Sequence, residues 1–385
     1  MHNRQTKGNA MQKKTAFLVC AMAAVMSYGT AHASDVSQHH WPHADTGAFE
    51  VKSADGNYRL GFSALLQPRL RYKHWDRSEN SQKAANELEF DINRARFGFY
   101  GNVFDPALTY LFQAQFDKDT NETGLPPKEL GSAKLTDFSV NYAFSQEFFH
   151  IAAGKFTVPF ARQLVMSPGK LQFADPLGHN RYFGLVPNSE DIRDIGVMFH
   201  NGWNNPFEYA LAVVTQGVAA RLAYNYNHID GYNAVDLTGG DLRFAIGLSG
   251  YLNRNQGSEK PGLMSTSYNL INTSADFILK AHGFATNGVF YYKMDRQNKD
   301  AKFENSMGAG IDLGYLIGGH TEPALRYSWY KPHDRHQSHE IIAGLNYYAF
   351  GQNLKTQLYG GVTLNPGTQK KLNPIVAGLQ LQFAL

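Results

Sequence analysis

Apolar residues recur at every second position over long stretches of the chain. Tyr58, Leu60, Phe62, Ala64, Leu66, Leu70 and Tyr72 alternate with Arg59, Gly61, Ser63, Gln67, Arg69 and Arg71, so an extended segment here has one apolar and one polar face. The same period runs through Ala95, Phe97, Phe99 and Val103 against Arg94, Arg96 and Asn102, through Leu108 to Phe116, and through Phe138 to Phe144. It closes the chain, where Ile375, Ala377, Leu379, Leu381, Phe383 and Leu385 alternate with Gln380 and Gln382. Each run approaches the roughly 9–11 residues of a tilted strand that crosses a bilayer, and exceeds the about 5–6 residues usual for strands of soluble domains.

Continuing the count gives sixteen strands, near 58–73, 91–103, 108–117, 135–144, 148–157, 195–202, 207–216, 219–227, 241–252, 271–280, 284–294, 306–316, 321–331, 339–349, 354–363 and 374–385. Between 217 and 270 the alternation is interrupted by Gly and Asn, which leaves the register there open. The expected architecture is all-β: a transmembrane antiparallel β-barrel of about sixteen strands. A soluble sandwich or propeller also alternates, but the connections here switch between tight (104–107, 145–147) and long (74–90, 118–134, 158–194), as periplasmic turns and outer loops do in membrane barrels. An even strand number puts both ends on the periplasmic side, and closure leaves no edge unpaired in lipid. Sixteen strands leave an aqueous bore. Tyr72, Trp75, Tyr142, Phe148, Phe149, Tyr291, Tyr292, Tyr347 and Tyr348 lie near strand ends, where interfacial girdles form.

The N-terminal residues carry Arg4, Lys7, Lys13 and Lys14, then an apolar run from Thr15 to Met26, then Ala31-His32-Ala33. This is the plan of a secretory signal with cleavage after Ala33, and the run is too short for a spanning helix. The expected divisions are a signal peptide at 1–33, a periplasmic N-terminal segment at 34–57 and an outer-membrane barrel at 58–385, in a Gram-negative envelope. Cys20, the one cysteine, lies in the signal, so the exported chain offers neither a disulfide nor a thiolate metal site. The formal balance is 36 basic against 33 acidic residues. Loss of the four basic residues of 1–33 leaves 32 against 33. A nearly neutral chain gives no footing for a nucleic-acid role, and any charge selectivity must come from where the charges sit.

Parity decides that placement. With Leu60, Phe62 and Leu66 toward lipid, Arg59, Arg69 and Arg71 point into the bore, as do Arg94 and Arg96 opposite Phe97 and Phe99. Arg243 and Arg326 extend the column by the same argument. Guanidinium groups keep their charge and match phosphate or carboxylate oxygens with a fork of donors, so such a column would make weak anion sites in series. Asp91, Asp117, Asp137 and Asp312 occupy polar positions too, and if they pair with the arginines the result is a general diffusion channel instead. The segment 158–194 is too long for an ordinary turn. With Phe160, Phe173, Tyr182 and Phe183 among Arg162, Lys170, Arg181 and Arg193, it is expected to fold inward and form a constriction, rather than stand outward in solvent or against a neighbour.

Three motifs, Ile92-Asn93-Arg94-Ala95-Arg96-Phe97-Gly98, Gly154-Lys155-Phe156-Thr157-Val158-Pro159-Phe160 and Arg193-Asp194-Ile195-Gly196-Val197, make the chain resemble the phosphate-selective porin O and P family of Gram-negative outer membranes. The resemblance implies a homotrimer of sixteen-stranded barrels, inwardly folded loops, and an arginine ladder leading small anions such as phosphate or polyphosphate to a lysine-containing constriction. Carried to this sequence, the ladder would be Arg59, Arg69, Arg71, Arg94 and Arg96, with Lys155 and Lys170 as the constriction lysines. Passive diffusion needs no cofactor. A channel for sugars or cations, its arginines neutralised, is the main rival. No serine sits in a Gly-x-Ser-x-Gly elbow, so the sequence assigns no enzyme. His333, His336 and His339, or His39, His40 and His43, are closely spaced imidazoles without a closed ligand set, so no metal site is assigned.

Overall fold

The computed structural model describes residues 49–75, 85–116, 133–145, 147–177, 180–183, 192–254, 269–296, 302–333, 336–364 and 374–385; the signal at 1–33, His39, His40, His43 and Asp117 lie outside them. The strands are β1 (Phe49–Lys52), β2 (Arg59–Trp75), β3 (Ala85–Val103), β4 (Asp105–Gln115), β5 (Lys134–Ser145), β6 (Phe149–Thr157), β7 (Arg193–His200), β8 (Phe207–Val214), β9 (Gly217–Tyr226), β10 (Arg243–Arg254), β11 (Asn269–Ala281), β12 (Phe284–Arg296), β13 (Glu304–Tyr315), β14 (Thr321–Lys331), β15 (Ser338–Gln352), β16 (Leu354–Leu364) and β17 (Ile375–Ala384). From β2 onward each pairs antiparallel with the next, and β17 pairs back onto β2, so sixteen strands close into a barrel. No helix among the described residues is long and apolar enough to span a membrane.

The alternation maps onto the wall as expected. Leu60, Leu66, Phe99, Leu222, Leu248 and Leu358 are exposed on the outside, while Arg59, Ser63, Gln67, Arg69, Arg94 and Arg96 are buried within. A bulge at Gln67/Pro68, where Gln67 pairs with Arg94 and Pro68 with Ile92, inserts Asn93 as an extra residue and returns Asp91 and Glu89 to the inner face. Proline has no ladder donor, so a bulge accommodates Pro68.

The structure differs from the sequence expectation in four places. β3 begins at Ala85, because Leu88 and Phe90 carry the alternation through residues that their flanking glutamates made resemble a loop. Within the tail assigned to 34–57, β1 pairs with β2, Lys52 opposite Arg59 and Phe49 opposite Phe62. It covers the edge that β17 leaves after Ala384↔Leu65, where Leu385 and Ala64 exchange backbone hydrogen bonds. Tyr291 and Tyr348 do not join a girdle: both have inward parity and are fully buried, whereas Tyr347 is exposed outside. Finally, connections at the end bearing the C-terminus are short, except 227–242, which is long and buried at Ile229, Tyr232, Ala234 and Val235.

Candidate functional site in the barrel interior

The chain leaves the wall after β6 and turns inward. Gly154, in the motif before the turn, sits at φ +122°, and a Cβ there would strike the Phe138 carbonyl; a side chain would meet both backbone strain and the neighbouring strand. The inner segment then makes two short helices, α1 (Arg162–Val165) and α2 (Asn180–Phe183), with a 3-10 turn at Pro168–Lys170 between them. Its apolar side chains Phe160, Val165, Leu177 and Phe183 are fully buried, each contributing about 1.5–3 kcal/mol. Phe183 stacks on Tyr291 with ring centres 4.7 Å apart.

A segment without regular structure must find partners for its backbone groups, and inward side chains from the wall supply them. Lys355 Nζ donates to the carbonyls of Gly169 and Leu171, both at 2.9 Å. Gln357 and Asn346 donate to the Gln172 carbonyl at 3.0 and 2.7 Å, and Gln382 donates to that of Gly169 at 2.9 Å. Gln172 in turn bonds Glu322 at 3.0 Å, and Gln163 bonds Asp312 at 3.1 Å and Asn287. Gly314 permits the approach, since a Cβ there would strike Glu322 and Gln172.

From the opposite end, 227–242 rises to meet this segment. Ala234 N donates to the Lys170 carbonyl at 2.9 Å, and Ala234 packs with Met166 and Leu171. Arg162 joins the two: its guanidinium pairs with Asp276 at 3.1 Å, donates to the Gly231 carbonyl at 3.1 Å, and lies over the Tyr232 ring at 5.0 Å. Asp276 also takes a bidentate contact from Arg221, at 2.6 and 2.9 Å. Asp236 holds the base of this second segment through Arg243 at 2.7 Å and the backbone N–H of Gly283 at 2.9 Å.

All five arginines of the expected ladder lie on the inner face of β2 and β3, each with partners. Arg59 pairs with Glu50 of β1 at 2.7 Å, Arg71 with Glu89 at 2.7 Å, and Arg96 bonds Gln115. Arg69 forks onto Asp91 at 3.0 and 2.8 Å and reaches Asp175 of the inner segment at 2.8 Å. Arg94 donates to the Ala174 carbonyl at 2.9 Å and to Asp175 at 3.3 Å. From the far wall Arg326 pairs with Asp312 at 2.7 Å, donates to the carbonyls of Asp175 and Pro176 at 2.8 and 2.9 Å, and sits over Phe173 at 4.5 Å. Burial pushes the Asp175 carboxyl up, but Arg69, then Arg94, the Asn93 amide and Arg71 pull it down further, well below the usual carboxylate range.

The expected constriction residues scatter. Arg162 and Lys170 are on the inner segment. Arg193 opens β7 and pairs with Asp137 at 2.9 Å. Arg181 lies in α2, its side chain outside the described residues. Lys155 is a correction: it stands opposite the exposed Phe138, on the outer face, and donates to the Leu135 carbonyl at 2.6 Å. One position of parity separates it from the inward Gly154 and Phe156. Among the described residues no three His, Cys, Asp or Glu side chains gather to hold a metal; His339 instead faces the Tyr327 hydroxyl at 2.9 Å. Parity alone would have found Arg221, Asp276, Glu322 and Lys355; nothing local singles out Asp175.

Residues 66–175 match the family described as phosphate-selective porin O and P, which bears out the resemblance carried by the motifs at 92–98 and 154–160. No curated protein matches the sequence. Solved structures share the fold. The anion-selective porin from Comamonas acidovorans is 14% identical with a TM-score of 0.57, covering 85% of this chain and 99% of its own. The outer membrane channel DcaP of Acinetobacter baumannii is 10% identical with a TM-score of 0.57, covering 87% and 99%. The trimer form of OmpT, an outer membrane protein of Vibrio cholerae, is 13% identical with a TM-score of 0.53, covering 85% and 99%. These likenesses are to the fold: a closed antiparallel barrel of the kind seen in outer-membrane proteins.

Proposed function

We propose that this outer-membrane porin passes small anions by passive diffusion, with a modest preference for them and without sharp phosphate specificity. One observation carries the reading: Arg59, Arg69, Arg71, Arg94 and Arg96 form an inner column on two adjacent strands, partnered by the carboxylates of Glu50, Glu89, Asp91 and Asp175. The column keeps a small positive excess, and guanidinium groups have donors beyond those their carboxylates use. Paired arginines attract anions less than free ones, which places the channel between a phosphate-specific pore and a general one.

Export with cleavage after Ala33 and assembly as a homotrimer belong to the same reading. The trimer is supported by the family resemblance and by the trimeric form of the similar OmpT. Small anions such as phosphate are the solutes, outer-membrane lipid is the surround, and no cofactor is involved.

Reversal potentials of single channels in a planar bilayer under a potassium chloride gradient test this. Chloride should be preferred a few-fold over potassium, with only weak block by phosphate. Cation selectivity would overturn the proposal, and strong phosphate block would replace it with the phosphate-specific reading.

A further inference from the structure

We infer that Arg69, Arg94 and Asn93 form a site for a small carboxylate, and that Asp175 is its built-in occupant. The three donors come from β2 and β3, and the carboxylate reaches them from a segment some eighty to a hundred residues away in sequence. Both of its oxygens are engaged. Oδ2 accepts from Arg69 Nη1 at 2.8 Å, and Oδ1 accepts from Asn93 Nδ2 at 3.1 Å and Arg94 Nη2 at 3.3 Å. This is how a free carboxylate would be held by a charged fork and an amide. The occupant is accessible: the Asp175 side chain is 43% exposed, against 2% for Asp91, the other partner of Arg69.

Asp175 is not needed to hold its own segment in place. Arg326 holds the tip by the backbone carbonyls of Asp175 and Pro176, Arg94 by that of Ala174, and Asn346, Gln357 and Lys355 hold the residues before it, again by carbonyls. Truncating Asp175 to alanine therefore vacates the site and leaves the segment where it is. A tethered group competes at an effective concentration on the order of millimolar or more, so a free carboxylate is excluded until Asp175 leaves.

The inference depends on the channel reading only for its electrical readout. Saturation-transfer NMR of acetate against the detergent-solubilised barrel reports the site whether or not current flows. Asp175→Ala protein should bind acetate more tightly than the unaltered protein by about the ratio of the tethered effective concentration to the intrinsic dissociation constant, roughly tenfold where that constant is a tenth of the effective concentration. Its channels should become more chloride-selective and acquire block by acetate. Glu87→Gln removes the same charge from the exposed outer part of β3 while leaving Asp175 seated, and should gain no acetate signal. Equal acetate binding by Asp175→Ala and unaltered protein overturns the inference. So does a variant that binds phosphate but not acetate, or one whose conductance rises with no acetate site.

Discussion

Asp175 shows how a single residue on an irregular segment adjusts the charge of a wall, meeting two of the five arginines of the column. Strand parity put Arg69 and Arg94 in the lumen and gave Arg69 a strand partner in Asp91, but the donors that remain meet a carboxylate that no strand carries. Its pH behaviour follows from the direction of its shift. A carboxyl whose pKa is lower in the folded state than its unfolded value of about 3.9 stabilises the fold above that value. The contribution is lost only as pH falls through the lowered folded value. The clamp should therefore be insensitive between neutrality and about pH 4. Conductance traces at stepped pH should show no transition of this origin in that window. A transition in more acid solution should be abolished in Asp175→Asn.

At the scale of elements, the wall was legible and its contents only in part. Alternation located the strands because lipid on one side and a polar lumen on the other force a two-residue period, and β14 falls where the pattern ends at 321 and 331. The inner segment was legible from length and aromatics. The 227–242 connection was not. Ile229, Tyr232 and Val235 stand among Asn, Asp and Gly, a composition that suits an exposed turn, yet all are buried: Ile229 packs on Ala245 and Ile278 of the wall, Tyr232 lies under the Arg162 guanidinium, and neighbouring Ala234 meets Met166 and Leu171. Lys155 failed for a different reason: a motif brings a residue near a site, but in a strand the neighbouring position faces the other way. The meeting of the two segments is open to test. Ala234→Asp places an unpaired carboxylate between Met166 and Leu171, at a cost of several kcal/mol. The junction should part, and single-channel conductance should rise above that of the unaltered protein. An unchanged conductance would show that solute passes elsewhere, along the β2–β3 side of the lumen.

Across the whole molecule, the inner segment touches both sides of the line where the sheet closes. Gln382 of β17 bonds the Gly169 carbonyl, and Gln67 of β2 bonds Gln382 at 2.8 Å. On the far side of the seam Arg69, Asn93 and Arg94 grip Asp175. This has a consequence for the order of assembly. Loop closure between strands at opposite ends of a chain is the most demanding step of such a topology, and here the two ends hold a common ligand made of the chain itself. A segment already inside when β17 meets β2 would serve as a template that holds the closing edges in register. Gln382→Leu should therefore delay the last step of refolding into detergent, seen as slower appearance of the compact, unboiled band on a gel, while β2–β3 and its neighbours pair at their usual rate. A barrel so assembled encloses its constriction as it seals, and its final seam is set from the inside.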